Sequence, residues 1–153
     1  MTIEEALQRS TLFQEFSETG LKIFASIATE KSVPAGSPIF AENMVGESLF
    51  IVKSGTVRIT QRSGDGEKEL AVLGAGEHLG AMSLLGKSVR LVSAIASTPC
   101  EVLEIAQRDF TRLQPQKPQA CLKLALAIAA DVAAKVAENR DALRELPGRK
   151  PGA

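Results

Sequence analysis

Apolar residues in the first thirty positions recur at helical spacing, then switch to a shorter rhythm. Ser17 and Glu18 precede Leu21, Ile23, Phe24 and Ile27, whose three- and four-residue steps give one apolar face, so Thr2 to Ala28 reads as short helices. From Ser32 the pattern changes. Pro34, Gly36, Pro38, Gly46, Gly55, Gly64, Gly66, Gly74, Gly76 and Gly80 break the chain into apolar segments too short for helices. Phe50-Ile51-Val52 runs into a turn at Lys53-Ser54-Gly55, after which Val57 and Ile59 alternate with Thr56, Arg58 and Thr60 as in a half-buried strand. Ser63-Gly64-Asp65-Gly66 closes a hairpin onto Leu70 to Leu73, and Val89 to Ala96 and Glu101 to Ile105 supply two further strand segments. Many short strands joined by glycine turns predict a sandwich or a barrel.

Past Ala106 the helical period returns. Asp109 to Leu113 reads as a short helix before Pro115 and Pro118, and a long helix is expected over about 119–146. Along it Leu122, Ala125, Ala129, Val132, Val136, Leu143 and Leu146 keep three/four spacing, with Asn139 on the same seam. A stripe this long outruns what one small barrel can cover, and a polar seam residue fixes register, so the helix is expected to form a parallel homodimer. The organisation expected is a helical cap at 1–31, a β unit at 32–106, C-terminal helices at 107–146 and a tail at 147–153.

Charge and composition narrow the function. Eighteen basic and eighteen acidic residues leave no net charge, so the chain lacks the basic excess with which proteins bind nucleic acid by counterion displacement. Cys100, Cys121 and the single histidine, His78, match no metal-ligand spacing, so reduced, packed thiols and no metal are expected. Met1 to Glu5 is acidic where an export signal is basic, and the apolar run Leu124 to Ala130 is too short to span a bilayer. A cytoplasmic protein without a membrane segment is the expectation. There is no nucleophile elbow, no HExxH and no Walker sequence, and no enzyme is expected.

One stretch carries chemistry. Gly74-Ala75-Gly76-Glu77-His78-Leu79-Gly80-Ala81-Met82-Ser83-Leu84-Leu85 reads as a strand ending in a glycine turn and one helical turn whose free N–H groups could hold an anion. Arg90, ten residues on, could fold back over that turn and grip an oxyanion with its fork of donors. On spacing alone, Gly80 could equally be a plain turn glycine and Arg90 a solvated strand charge.

With Pro34-Ala35-Gly36 before Ile39-Phe40, Leu49 to Val57, and the Gly74-Ala75-Gly76-Glu77 turn, residues 79–93 resemble the phosphate-binding cassette of the cyclic-nucleotide-binding domain. That domain is shared by catabolite activator proteins, protein kinase A regulatory subunits and gated channels, and the resemblance runs from about Leu12 to Leu146. It implies a mainly β fold with flanking helices: a β-roll or jelly-roll barrel with N-terminal helices and a long C-terminal helix. It also implies a cyclic nucleotide, cAMP or cGMP, or a related phosphate ligand, with no further cofactor. Backbone donors would come from Gly80, Ala81, Met82 and Ser83, the phosphate arginine would be Arg90 beside Leu91, and Ser93 would match the terminal Thr/Ser. Ile59, Leu70 and Ala71 fall where relatives build the pocket wall.

The chain departs from that pattern in three places. Val89-Arg90-Leu91-Val92 stands where the family has Pro-Arg-Ala-Ala, which brings larger side chains to the pocket at 91 and 92. Ala81 stands where the family has the glutamate that accepts the ribose 2′-hydroxyl, and an unpaired hydroxyl costs about 1–3 kcal/mol, roughly five- to a hundredfold in affinity. Lys135 and Val136 align with the hydroxyl pair that contacts adenine in the catabolite activator, and neither reproduces that contact. Two function classes follow. One is a stand-alone regulatory sensor that signals through its dimer or an unknown protein partner. The other is a degenerate domain that binds no nucleotide and serves as a dimeric interaction module. The sequence ends soon after Leu146 without a helix-turn-helix pattern, so direct DNA binding is not expected in either.

Overall fold

The computed structural model describes residues 1–138. Helix α1, Ile3–Arg9, opens on a reciprocal capping box between Thr2 and Glu5, and α2, Glu18–Ala25, is capped by the Ser17 hydroxyl, which accepts from the Gly20 N–H. Between them Thr11–Phe13 forms a single 3-10 turn. Ten strands follow: β1 Ala28–Val33, β2 Pro38–Phe40, β3 Val45–Gly46, β4 Ser48–Ser54, β5 Val57–Ser63, β6 Gly66–Leu73, β7 His78–Leu79, β8 Ser88–Val89, β9 Ser93–Ala96 and β10 Cys100–Ala106. A 3-10 helix, Ala81–Leu84, interrupts them after β7, and α3, Gln107–Leu113, and α4, Pro118–Glu138, close the order.

The strands form two four-stranded antiparallel sheets, β1-β10-β4-β7 and β2-β9-β5-β6, with the short pair β3-β8 beside them. This is the barrel with flanking helices that the glycine rhythm and the resemblance led us to expect. Two boundaries differ in detail. The first strand begins at Ala28, inside the stretch read as helical cap, because Ala28 pairs with Ile105 and extends the sheet from its edge. Pro118 opens α4 instead of breaking the chain before it, since proline's fixed φ and missing N–H suit the first helical position.

The apolar run Leu49-Phe50-Ile51-Val52 does not alternate because β4 is buried on both faces. Leu49 and Ile51 enter a cluster with Phe13 and Phe24 of the N-terminal segment, Leu103 and Ile105 of β10, Phe110 of α3, and Leu124 and Ile128 of α4. Phe50 and Val52 enter the barrel interior with Val57, Ile59, Leu79, Ala94 and Val102. Helix α4 thus presents Cys121, Leu124 and Ile128 to the first cluster. No helix among the described residues is long and apolar enough to cross a membrane.

Candidate functional site

The strand β7 delivers the chain to Gly80, which adopts a left-handed conformation (φ 69°, ψ 25°) at the entrance of the 3-10 helix Ala81–Leu84. Only glycine takes this conformation without a steric penalty. Its missing side chain has a second use. A Cβ on Gly80 would lie 2.8 Å from Cζ of Arg90, and a Cβ on Gly46 of β3 would lie at the same distance. The Arg90 guanidinium therefore rests between two backbone segments that contain no side chain.

Arg90 follows β8 and folds back, as its spacing allowed. It is 7% exposed. Nη2 donates to the Ser48 carbonyl at 2.8 Å, Nη1 to the Gly80 carbonyl at 3.4 Å, and Cζ lies 4.1 Å from the centre of the Phe40 ring. Its Nε has no partner. Burial lowers the Arg90 pKa from its ordinary value, and the charge of Glu104 opposes that shift. The Glu104 carboxylate accepts from the Ser48 hydroxyl at 2.6 Å and pairs with Lys31. Burial pushes the Glu104 pKa up, but the hydrogen bonds from Lys31 and Ser48 outweigh it and hold the net value below the ordinary one.

Gly80, Ala81, Met82, Ser83, Arg90 and Leu91 line one cleft of about 700 Å³, closed on the far side by α4. Ser83 is fully buried, and its hydroxyl lies 3.4 Å from that of Ser88; Met82 and Leu91 are exposed at the rim. Lys135 and Val136 of α4 also line the cleft, together with Val132. The remaining candidates lie elsewhere. The Ser93 hydroxyl accepts from the Glu42 N–H at 2.9 Å, Ile59 is packed inside the barrel, and Leu70 and Ala71 are exposed on β6. None of those four lines the cleft.

His78 and Asp131 are the pair that sequence reasoning missed. His78 stands at the cleft on β7, and its Nε2 is 2.9 Å from Oδ2 of Asp131 on α4. Lys135 also reaches that carboxylate at 2.9 Å. Burial pushes the Asp131 pKa up, but the hydrogen bonds and charges of Lys135 and His78 bring the net value below the ordinary one. In the sequence His78 had no placed carboxylate; 53 residues separate the two, and no local spacing links them. The expected seam is divided as well. Leu122, Ala129 and Val136 are exposed, whereas Ala125 is half-buried and Val132 packs against the helical cluster. Leu126, outside the expected seam, is 61% exposed on the same side. Asn139, Leu143 and Leu146 lie outside the described residues. No group of metal-ligating side chains occurs among the described residues.

Comparison with known proteins gives a consistent picture. The family model for the cyclic nucleotide-binding domain matches residues 30–116. The Cyclic AMP receptor protein of Thermus thermophilus is 33% identical over 124 residues, covering 80% of this chain and 57% of that protein. The cGMP-dependent protein kinase egl-4 of Caenorhabditis elegans is 32% identical over 110 residues, 70% of this chain and 14% of that one. The chain thus spans little more than half of the first relative and a small part of the second. Among solved structures, the Thermus thermophilus Catabolite Activator Protein superposes with a TM-score of 0.78 at 32% identity, covering 88% of this chain and 62% of that one.

Proposed function

Since the chain belongs to the cyclic nucleotide-binding domain family, we propose that it is a non-enzymatic regulatory sensor that takes cAMP, cGMP or a related phosphate ligand in the cleft between Gly80 and α4. The observation that carries this reading is the state of Arg90. A guanidinium brought into a buried position, set between two glycines and left with an unpartnered Nε, is a donor prepared for an oxyanion. Gly80, Ala81, Met82 and Ser83 would offer backbone N–H groups beside it. Leu91 would border the ligand, and Ser93 would act one layer away by fixing Glu42. Ile59, Leu70 and Ala71 would shape the barrel wall without touching the ligand.

Signalling follows from the second wall of the cleft. A ligand that contacts both the Gly80 turn and α4 favours one angle of the helix over another, and that angle is the output. The exposed Leu122, Leu126, Ala129 and Val136 repeat at four-, three- and seven-residue steps, the pattern of a two-stranded helical seam. A second copy of the chain would pack on it in parallel, so that ligand in one protomer changes the surface offered to a partner protein. Cytoplasmic location and the absence of direct DNA contact belong to the same reading.

A second reading is favoured by Ala81, buried and apolar where the sugar contact is expected, and by the Nη1 and Nη2 bonds that Arg90 already makes. In it the domain binds no nucleotide and the α4 seam alone is functional. Calorimetric titration with cAMP and with cGMP, to about millimolar concentration, separates the two. Saturable binding that is lost in Arg90→Ala supports the sensor; silence with both nucleotides supports the interaction module.

A further inference from the structure

Among the described residues, two buried side-chain polar atoms have no hydrogen-bond partner: Nδ1 of His78 and Nε of Arg90. Both residues line the same cleft. Buried polar groups are almost always satisfied, so two orphans at one cavity mark it as a place where a ligand completes the bonding. The His78 side chain is 7% exposed, as Arg90 is.

The two orphans ask for different chemistry. The Nε–H of Arg90 is a donor at any working pH and takes an oxyanion. At His78 the partner on the other ring nitrogen decides. Asp131 is held below its ordinary pKa, with burial opposing the hydrogen bonds and charges of Lys135 and His78 that prevail, so its carboxylate is ionised and only accepts. Nε2 of His78 therefore donates to it, which leaves Nδ1 as the ring nitrogen without a partner. A hydroxyl, which both donates and accepts, pairs with that nitrogen in either role. His78 lies two residues before Gly80, whose carbonyl accepts from Nη1 of Arg90, so the two side chains border the same turn of the cleft. Ala81, the position at which the family's hydroxyl acceptor is missing, has no polar side-chain atom to compete.

We propose that His78 is a specificity-determining residue that hydrogen-bonds the sugar hydroxyl of the ligand through Nδ1, in place of the missing carboxylate at position 81. The proposal rests on the sensor reading above and names its second polar contact. Because the same imidazole donates to Asp131 of α4, the hydroxyl bond and the helix share one ring.

The experiment compares the wild-type chain with His78→Leu in calorimetric titrations of cAMP, cGMP and their 2′-deoxy forms. The wild type is expected to bind the ribonucleotide about tenfold more tightly than its deoxy form, and His78→Leu to bind the two alike. Equal binding by the wild type, or discrimination that persists in His78→Leu, overturns the proposal while leaving the sensor reading intact. Absence of any nucleotide binding removes the sensor reading and this proposal with it. A measurement on the unmodified chain guards against a folding failure of the variant. His78 is the sole histidine, so nitrogen NMR shows one pair of ring signals. The Nδ1 signal should move on adding the ribonucleotide and stay in place with the deoxy form, and no difference between them overturns the proposal.

Discussion

Gly80 and Arg90 occupy adjoining volumes: a Cβ on the glycine would lie 2.8 Å from Cζ of the arginine. Gly80→Ala therefore acts twice. It places a side chain at φ 69°, at a penalty of about 1–2 kcal/mol, and it pushes the guanidinium off its seat. We expect a lower urea midpoint together with a loss of nucleotide affinity; an unchanged midpoint would show that the turn adapts freely.

Arg90→Ala should abolish nucleotide binding with the barrel intact by circular dichroism, because the residue lies at the cleft and outside both apolar clusters. Arg90→Lys is the sharper variant. Its single ammonium keeps the charge but cannot reach the Ser48 and Gly80 carbonyls and an oxyanion together, so affinity should fall at least tenfold. Binding equal to wild type in Arg90→Lys would mean that charge alone suffices.

The seam on α4 is best tested at residues that serve nothing else. Leu122→Glu with Leu126→Glu should give a folded monomer by light scattering, since both side chains are about 60% exposed and contribute little to either cluster. A persistent dimer would place the interface on another face. Val132→Asp is a poorer choice, because Val132 packs on the helical cluster and its loss would damage the fold itself.

Acid should weaken the support beneath Arg90. The Glu104 pKa is held below its ordinary value of 4.5: burial works against the ionised form, and the Lys31 and Ser48 hydrogen bonds overcome it. Stability from this group is fully present above the ordinary value and is lost as pH falls through the depressed one. Glu104→Gln is expected to be less stable than wild type in urea at neutral pH, with the two converging as the pH falls through the depressed Glu104 pKa. Parallel curves over the whole range would show that the carboxylate carries no such load.

Much of this was legible in the chain itself. Valine and isoleucine alternating at 57 and 59 announced β5, and Gly80 with Arg90 ten residues on announced the turn and its returning arginine. Those are local signals, carried by spacings of two to ten. What escaped is non-local. The carboxylate that meets His78 comes from a helix 53 residues away, and Glu104 reaches the Arg90 seat through Ser48, 56 residues back. Leu126 escaped for another reason. With Leu122 and Leu124 close by, periodicity alone does not say which of three leucines faces the core, and only the packing of Leu124 beneath α4 decides it.

Strand β4 sends Leu49 and Ile51 to one apolar cluster and Phe50 and Val52 to the other. It is a party wall. The two clusters share a backbone but no side chain, so a bulky substitution at Leu49 or Ile51 would press on the helices, and one at Phe50 or Val52 on the barrel interior. Ala81 of the cleft sits on the helical side of that wall with Leu124 and Ile128 of α4, which joins one face of the cleft to the long helix through packing.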